Sequence, residues 1–466
     1  MGKISNFYAM PHPPIVIPEV GGGEEKQIKQ TYDACNKVAE KIAEIKPDTI
    51  IVVTPHGPLF RNAVAISVGE SIYGNLGKFG ASNVQMDLQI NMPLVREIIR
   101  YSYENSVPVA EVTESAAEKY TFEYELDHGT LIPLYFVNKR FSDYKIVHIT
   151  YGMLSKIQLY KFGMSIKKAV ENSDTNAVFI ASADLSHKLS SEGPYGHSPY
   201  GEEFDGEIVS LLKNGDVLKV FNMDPITVEE AQECGLRSYY IMLGAMEGNN
   251  IKGNLLSYEG TLGVGYSVME FILEKSNKSA YNLLLENIQN RIKTKVEDAN
   301  PYVRLACESL VNYLSSEEYM DIPPYVTDEM KETKRGVFVT LKKEGVLRGC
   351  VGTFLPVTGN VCEEIIRNAV SAGIYDSRFI PVVIEELDDI EFSVDVLTEP
   401  EKASMEELDP GKYGVVVKSG PKVGLLLPDL EGVDTVEEQI NIALEKGGIS
   451  QDEDYTIEKF EVIRHS

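Results

Sequence analysis

Six of the seven histidines lie in the first 200 residues: His12, His56, His128, His148, His187 and His197, with only His465 beyond them. Three of the six follow apolar runs of β character, namely Asn6–Met10 before His12, Thr49–Val53 before His56 and Ala177–Ile180 before His187. In open α/β sheets, ligands gather in the crevice beyond the carboxyl ends of the strands. Imidazoles delivered there from separate strands point to a metal site or an acid/base site. His12 sits in Pro11-His12-Pro13-Pro14 and His56 in Thr54-Pro55-His56-Gly57-Pro58, so prolines stiffen both loops. His187 closes Ser182-Ala183-Asp184-Leu185-Ser186-His187, where Asp184 and Ser186 are placed to orient its ring. His128 follows Asp127 and precedes Gly129. His148, inside a strand pattern, reads as a core histidine, and His197, in the loop Gly193–Gly201, as lining for a substrate entrance.

A divalent metal held by two histidines commonly takes a carboxylate as third ligand, the arrangement that holds Fe(II) and leaves positions open. The acidic candidates are Glu230 and Glu233 in a helix expected over 227–246. Glu230 is accounted for as capping-box partner of Thr227. Glu233 has no such local role and is the expected carboxylate. Its neighbour Cys234 would lie about 100° around the helix, so one of the two should face the metal.

The chain has 466 residues, which suggests two or three domains at roughly 100–200 residues each. The polar stretch Glu274–Ser279 divides it near residue 276, into 1–274 and 279–466. Upstream, strands (5–10, 49–53, 145–150, 177–182) alternate with helices (24–46, 155–172, 227–246), which predicts an α/β domain with a mostly parallel central sheet. Downstream, two strands flank a turn at Lys342–Gly345, and Ile390, Phe392, Val394 and Val396 alternate as in a half-buried antiparallel strand. Helices near 280–314, 360–373 and 435–446, the last with Thr435 and Glu438 as a capping box, complete an α+β domain. The net charge of −27 argues against nucleic-acid and anionic-membrane partners. No apolar run reaches the ~18 residues of a membrane span, and the N-terminus lacks a signal-peptide core. Five cysteines without a C-x-x-C pair suit a reduced, cytoplasmic setting. The oligomeric state is left open.

With Asp127-His128-Gly129 and Glu233-Cys234-Gly235-Leu236-Arg237 added to these histidine motifs, residues 1–274 resemble the LigB-like class III extradiol dioxygenases and their Memo relatives. The resemblance implies His12, His56 and Glu233 as Fe(II) ligands, His187 as the catalytic acid/base and His128 beside substrate or oxygen. It implies O₂-dependent ring cleavage of a small catechol- or aminophenol-type aromatic. In Memo-like members a cysteine occupies the region of the third ligand, which leaves Cys234 as the alternative. A metal-dependent hydrolase and a non-catalytic metal-binding scaffold are the competing readings.

Residues 279–466 resemble the AMMECR family through Leu347-Arg348-Gly349-Cys350-Val351-Gly352, Arg367-Asn368-Ala369 and Asp376-Ser377-Arg378-Phe379. The fusion is similar to the family named AmmeMemoRadiSam system protein A, which implies a radical-SAM enzyme as pathway neighbour. With no histidine but His465 in this half, Cys350 reads as structural. Arg348, Asp376 and Arg378 would form an ion-pair network or bind an anion.

Overall fold

The computed structural model describes every residue except Asp298, Glu344 and Glu431, and describes Lys295 without its side chain. Two compact units result, Met1–Glu286 and Asn287–Ser466. Among the described residues, no helix is long and apolar enough to cross a membrane.

The first unit carries ten strands: β1 (Lys3–Met10), β2 (Thr49–Thr54), β3 (Val64–Ser67), β4 (Ser71–Leu76), β5 (Ala81–Gln89), β6 (Val109–Val112), β7 (Lys145–Thr150), β8 (Asn176–Ser182), β9 (Asn249–Glu259) and β10 (Tyr266–Lys275). Eight form one sheet in the order β6-β3-β7-β2-β8-β1-β10-β9, and β4 and β5 pair separately. The centre, β7-β2-β8-β1, is parallel throughout. Antiparallel pairing appears outside it, at β3 against β7 and at β1, β10 and β9. Every residue of β2 is buried, as a strand covered on both faces requires. On β2 itself lie the helices His128–Asn138 and Leu236–Ala245. The helix Lys29–Ile45, whose Ala34, Cys35, Val38, Ala39 and Ile42 recur at helical spacing and are buried, packs against β1, β9 and β10. Lys156–Glu171, started by the capping box of Ser155 and Gln158, packs against β1.

The helix expected over 227–246 is in fact two, Pro225–Ala231 and Leu236–Ala245. Gln232 takes a left-handed conformation (φ 51°) and stops the first. Asp224 caps it, its carboxylate accepting from the Thr227 amide at 2.9 Å. Glu230 is therefore not a capping partner of Thr227; it lies against Ser198 Oγ at 3.5 Å. Glu233 and Cys234 occupy the turn between the helices, so their 100° helical separation does not apply.

The second unit holds two antiparallel sheets. One is formed by β11 (Val337–Lys343), β12 (Val346–Thr353), β13 (Ile390–Leu397) and β18 (Val462–His465), in the order β12-β11-β13-β18. The other comprises β14 (Glu401–Lys402), β15 (Gly414–Ser419), β16 (Lys422–Leu426) and β17 (Thr456–Phe460), in the order β14-β17-β15-β16. Of the turn expected at Lys342–Gly345, Glu344 lies outside the described residues. The helix expected over 280–314 is broken into Ala280–Glu297 and Pro301–Ser316; Pro301 opens the second and Asn300 caps it, while Asp298 lies outside the described residues. Thr435 and Glu438 do form the capping box of Val436–Gly447.

Because the histidine-bearing loops all belong to the first unit, a chain ending at Glu286 is expected to fold and to bind one divalent metal ion. Circular-dichroism melting with metal analysis of the truncated chain checks this; an unfolded product would show that its core needs the second unit.

Candidate metal centre

Strands β1 and β8 run parallel in a register that pairs Met10 with Ser182, and the Ala183 amide donates to Met10 O at 3.0 Å. The loop leaving β1 thereby meets the loop leaving β8. The His12 amide donates to Asp184 Oδ1 at 2.8 Å, and His12 Nδ1 lies 2.9 Å from Ser182 Oγ. The Ser182 hydroxyl donates its one hydrogen to Gly129 O, so it accepts from Nδ1–H. That tautomer leaves Nε2 of His12 bare, with its lone pair available to a metal.

His56, two residues beyond β2, places Nε2 at 3.0 Å from His12 Nε2. His128 is the first residue of the helix His128–Asn138. The donor atoms of His12, His56 and His128 all lie within 4.8 Å of one another. Burial, with the neighbouring imidazoles, holds His12 well below its ordinary value and pushes His56 down to about 4. Burial also lowers His128. All three are neutral near pH 7, the form that binds metals. Two cis ligands at metal–nitrogen bonds of about 2.1 Å would stand about 3 Å apart. The observed separation fits a divalent cation.

Asp127 fixes the start of the His128 helix. Its carboxylate accepts from the Thr130 amide, from Thr54 Oγ1 at 2.6 Å and from Thr130 Oγ1 at 3.1 Å, and meets His148 Nε2 at 3.0 Å. Burial alone would raise its carboxyl, but His148 and Thr54 outweigh it and hold Asp127 well below the usual range. His148, anchored at Nδ1 by Ser67 Oγ at 2.8 Å, is buried as a core histidine should be and also steadies this carboxylate. A Cβ on Gly129 would stand 2.4 Å from Thr54 Oγ1, so only glycine fits after His128.

Around the expected third donor the contacts are these. Glu233, assigned from the sequence as the carboxylate ligand, turns Oε2 to the Leu236 amide at 2.5 Å and starts a helix. Beside His12 Nε2 stand Cys234 Sγ, at 3.5 Å, and Asp184 Oδ2, at 3.7 Å. Burial raises Asp184 to about 7 and pushes the Cys234 thiol well up. Asp184 serves His12 rather than orienting His187, and Ser186 Oγ donates to Ala231 O. A Cβ on Gly235 would stand 2.4 Å from Ala183 Cβ, so glycine lets the Cys234 turn close on β8.

His187 lies near enough to His56 and His12 to be felt by both; burial and His56 lower it to about 4. Tyr195 stacks on it at 5.0 Å between centroids. Exposed His197 pairs with Leu189 in an isolated bridge. Buried Asp205 accepts from the Ser186 amide and from Tyr258 Oη, both at 2.8 Å, and so holds the His187 loop; burial raises its carboxyl to about 7. Ser182, Asp205 and the Asp127–His148 pair escaped sequence reasoning as site-builders, and Asp184 was assigned to the wrong histidine. The pattern Asp127-x-x-Thr130 before a helix was the signal for one of them.

In the second unit Arg348, Asp376 and Arg378 of the signature motifs are each engaged in an ion pair. Arg348 reaches both oxygens of Glu386, at 3.1 and 3.0 Å, and Ile380 O. Arg378 pairs with Asp376, whose Oδ2 also takes the Cys350 amide at 3.0 Å. Cys350 Sγ accepts from Thr340 Oγ1 at 3.3 Å.

Neutral imidazoles with a carboxylate and a thiol beside them are gathered beyond the ends of parallel strands, so the first unit is an α/β domain with a candidate metal site. The chain belongs to the LigB family: residues 6–269 match the family described as "Catalytic LigB subunit of aromatic ring-opening dioxygenase", and residues 303–465 match AMMECR1. A Clostridium acetobutylicum protein, CA_C1420, is 53% identical over 464 residues, covering 99% of each chain. A Thermotoga maritima protein is 47% identical over 169 residues, 36% of this chain and 97% of its own. The crystal structure of uncharacterized protein PH0010 from Pyrococcus horikoshii aligns with TM-score 0.32 at 33% identity, over 35% of this chain and 88% of that one.

Two outcomes follow from this geometry. Ser182→Ala should lower divalent-metal affinity about 10–100-fold by releasing the His12 tautomer, whereas Glu233→Gln should leave it nearly unchanged; calorimetric titration of both variants decides. For Asp205, a carboxyl at about 7 in the folded chain and about 4 unfolded makes stability fall as pH rises between those values. Asp205→Asn removes that loss, so its melting temperature relative to the unaltered chain should be higher at pH 8 than at pH 5.

Proposed function

We propose that the first unit binds Fe(II) and opens the ring of a catechol- or aminophenol-type aromatic with O₂. The observation that carries this reading is the pair of facing imidazole nitrogens, His12 Nε2 and His56 Nε2, 3.0 Å apart in a cluster with His128. His12, His56 and a third donor among His128, Asp184 and Cys234 would hold the ion. Bound there, the metal would supply Lewis acidity toward a substrate hydroxyl pair and the redox chemistry that O₂ requires. His187, neutral near pH 7, accepts the proton of a substrate hydroxyl and can return it to product. Tyr195 shields one face of that imidazole from water.

Cys234 favours a second reading. Its sulfur at 3.5 Å from His12 Nε2 would draw the site toward softer metals such as Zn or Cu(I) and toward a Memo-like role without ring cleavage. The fused AMMECR1 unit supports a radical-SAM enzyme as pathway neighbour. Five free cysteines support a reduced cytoplasmic setting.

The test is oxygen uptake by the anaerobically Fe(II)-loaded chain given catechol or 2-aminophenol, with the product identified by mass. The expected result is one O₂ consumed per ring opened. His187→Ala should keep its iron and lose about 10²–10⁴-fold in turnover. Tight metal binding with no uptake on either substrate would favour the Cys234 reading.

A further inference from the structure

Two half-open aromatic rings flank the imidazole cluster, and neither is explained by the core. Phe79 ends the turn Gly77–Phe79 at the tip of the β4–β5 hairpin. Its ring leans on His128 at 5.2 Å, although 38% of the residue is exposed. Tyr195 sits between Gly193 and Gly196 in a loop whose ends are tied by the Leu189–His197 bridge. It stacks on His187 at 5.0 Å and 23°, and is 52% exposed. The rings arrive from unrelated parts of the chain and each covers an imidazole of the site. From Phe79 the aromatic row continues through His128 and His56, 4.1 Å apart, to His12 at 4.8 Å.

Phe79 offers no hydrogen bond, and its ring meets another flat group by face or edge. The Tyr195 ring can do the same on the His187 side.

We propose that Phe79 and Tyr195 are the walls of this site that hold a planar dihydroxylated ring by stacking. This rests on the ring-opening reading above and names the residues that position its substrate.

The test is anaerobic calorimetric titration of the Fe(II)-loaded full chain with catechol, which should bind. Phe79→Ala and Tyr195→Ala should each weaken catechol binding about 3–10-fold, the worth of one aromatic contact, with Fe(II) affinity unchanged. Tyr195→Phe should restore the original value, since the ring and not the hydroxyl does the holding. Unchanged catechol affinity in both alanine variants would overturn the wall assignment and leave the ring-opening reading standing. Loss of iron in the variants would show a structural role for the rings and overturn the proposal. If the unaltered Fe(II) chain does not bind catechol, the ring-opening reading falls and takes this one with it.

Discussion

Ser182 has a single hydroxyl hydrogen, and its destination organises the site. Given to Gly129 O, it obliges the same oxygen to accept from His12 Nδ1, which leaves the opposite nitrogen bare. Three elements meet in that one hydroxyl: the end of β8, the first turn of the His128 helix and the loop leaving β1. The parallel register of Met10 with Ser182 makes the meeting geometrically necessary. A one-residue slip in β1 would turn its side chains to the other face of the sheet and carry His12 away from the hydroxyl.

Electrostatics then separates two buried aspartates with the same chemistry. Asp127 accepts from two hydroxyls and an amide, faces an imidazole and stays ionised. Asp184 receives the His12 amide as its favourable contact, and burial carries it up to about 7. Solvation by the protein, rather than distance from water, decides which one behaves as a fixed anion. The fixed anion underlies the His128 helix, and the more weakly solvated one stands beside the bare nitrogen of His12.

The parallel centre of the first sheet was legible because β1, β2 and β8 are short apolar runs ending in punctuated loops. That His12 and His56 lie together beyond the strand ends was legible for the same reason: proline on the chain just after a strand marks where the crevice opens. The surroundings of Glu233 were not. Reading 227–246 as one helix put Glu233 on a helical face, whereas a left-handed Gln232, which no glycine or asparagine announces, breaks that helix. Glu233 then satisfies the Leu236 amide, a local demand that sequence spacing did not reveal. His148 looked like core and is core; its partnership with Asp127 depends on β7 lying beside β2, which only the folded sheet shows. The β4–β5 hairpin was passed over although Val84, Met86, Leu88 and Ile90 alternate with Gln85, Asp87 and Gln89; what the sequence did not show is that its tip carries Phe79 onto His128.

Gly235 has a consequence for how this sequence can diverge. Its missing side chain is demanded first by Ala183, across a gap that a Cβ would close to 2.4 Å. The glycine of Glu233-Cys234-Gly235 and the alanine of Ser182-Ala183-Asp184 therefore form one steric unit, separated by 52 positions in the chain. Among descendants of this fold the two should covary: a bulkier residue at either site is admissible only where the Cys234 turn has retreated from β8. A family alignment that scored each column alone would record two conserved small residues and miss that together they set how far the thiol stands from the imidazoles.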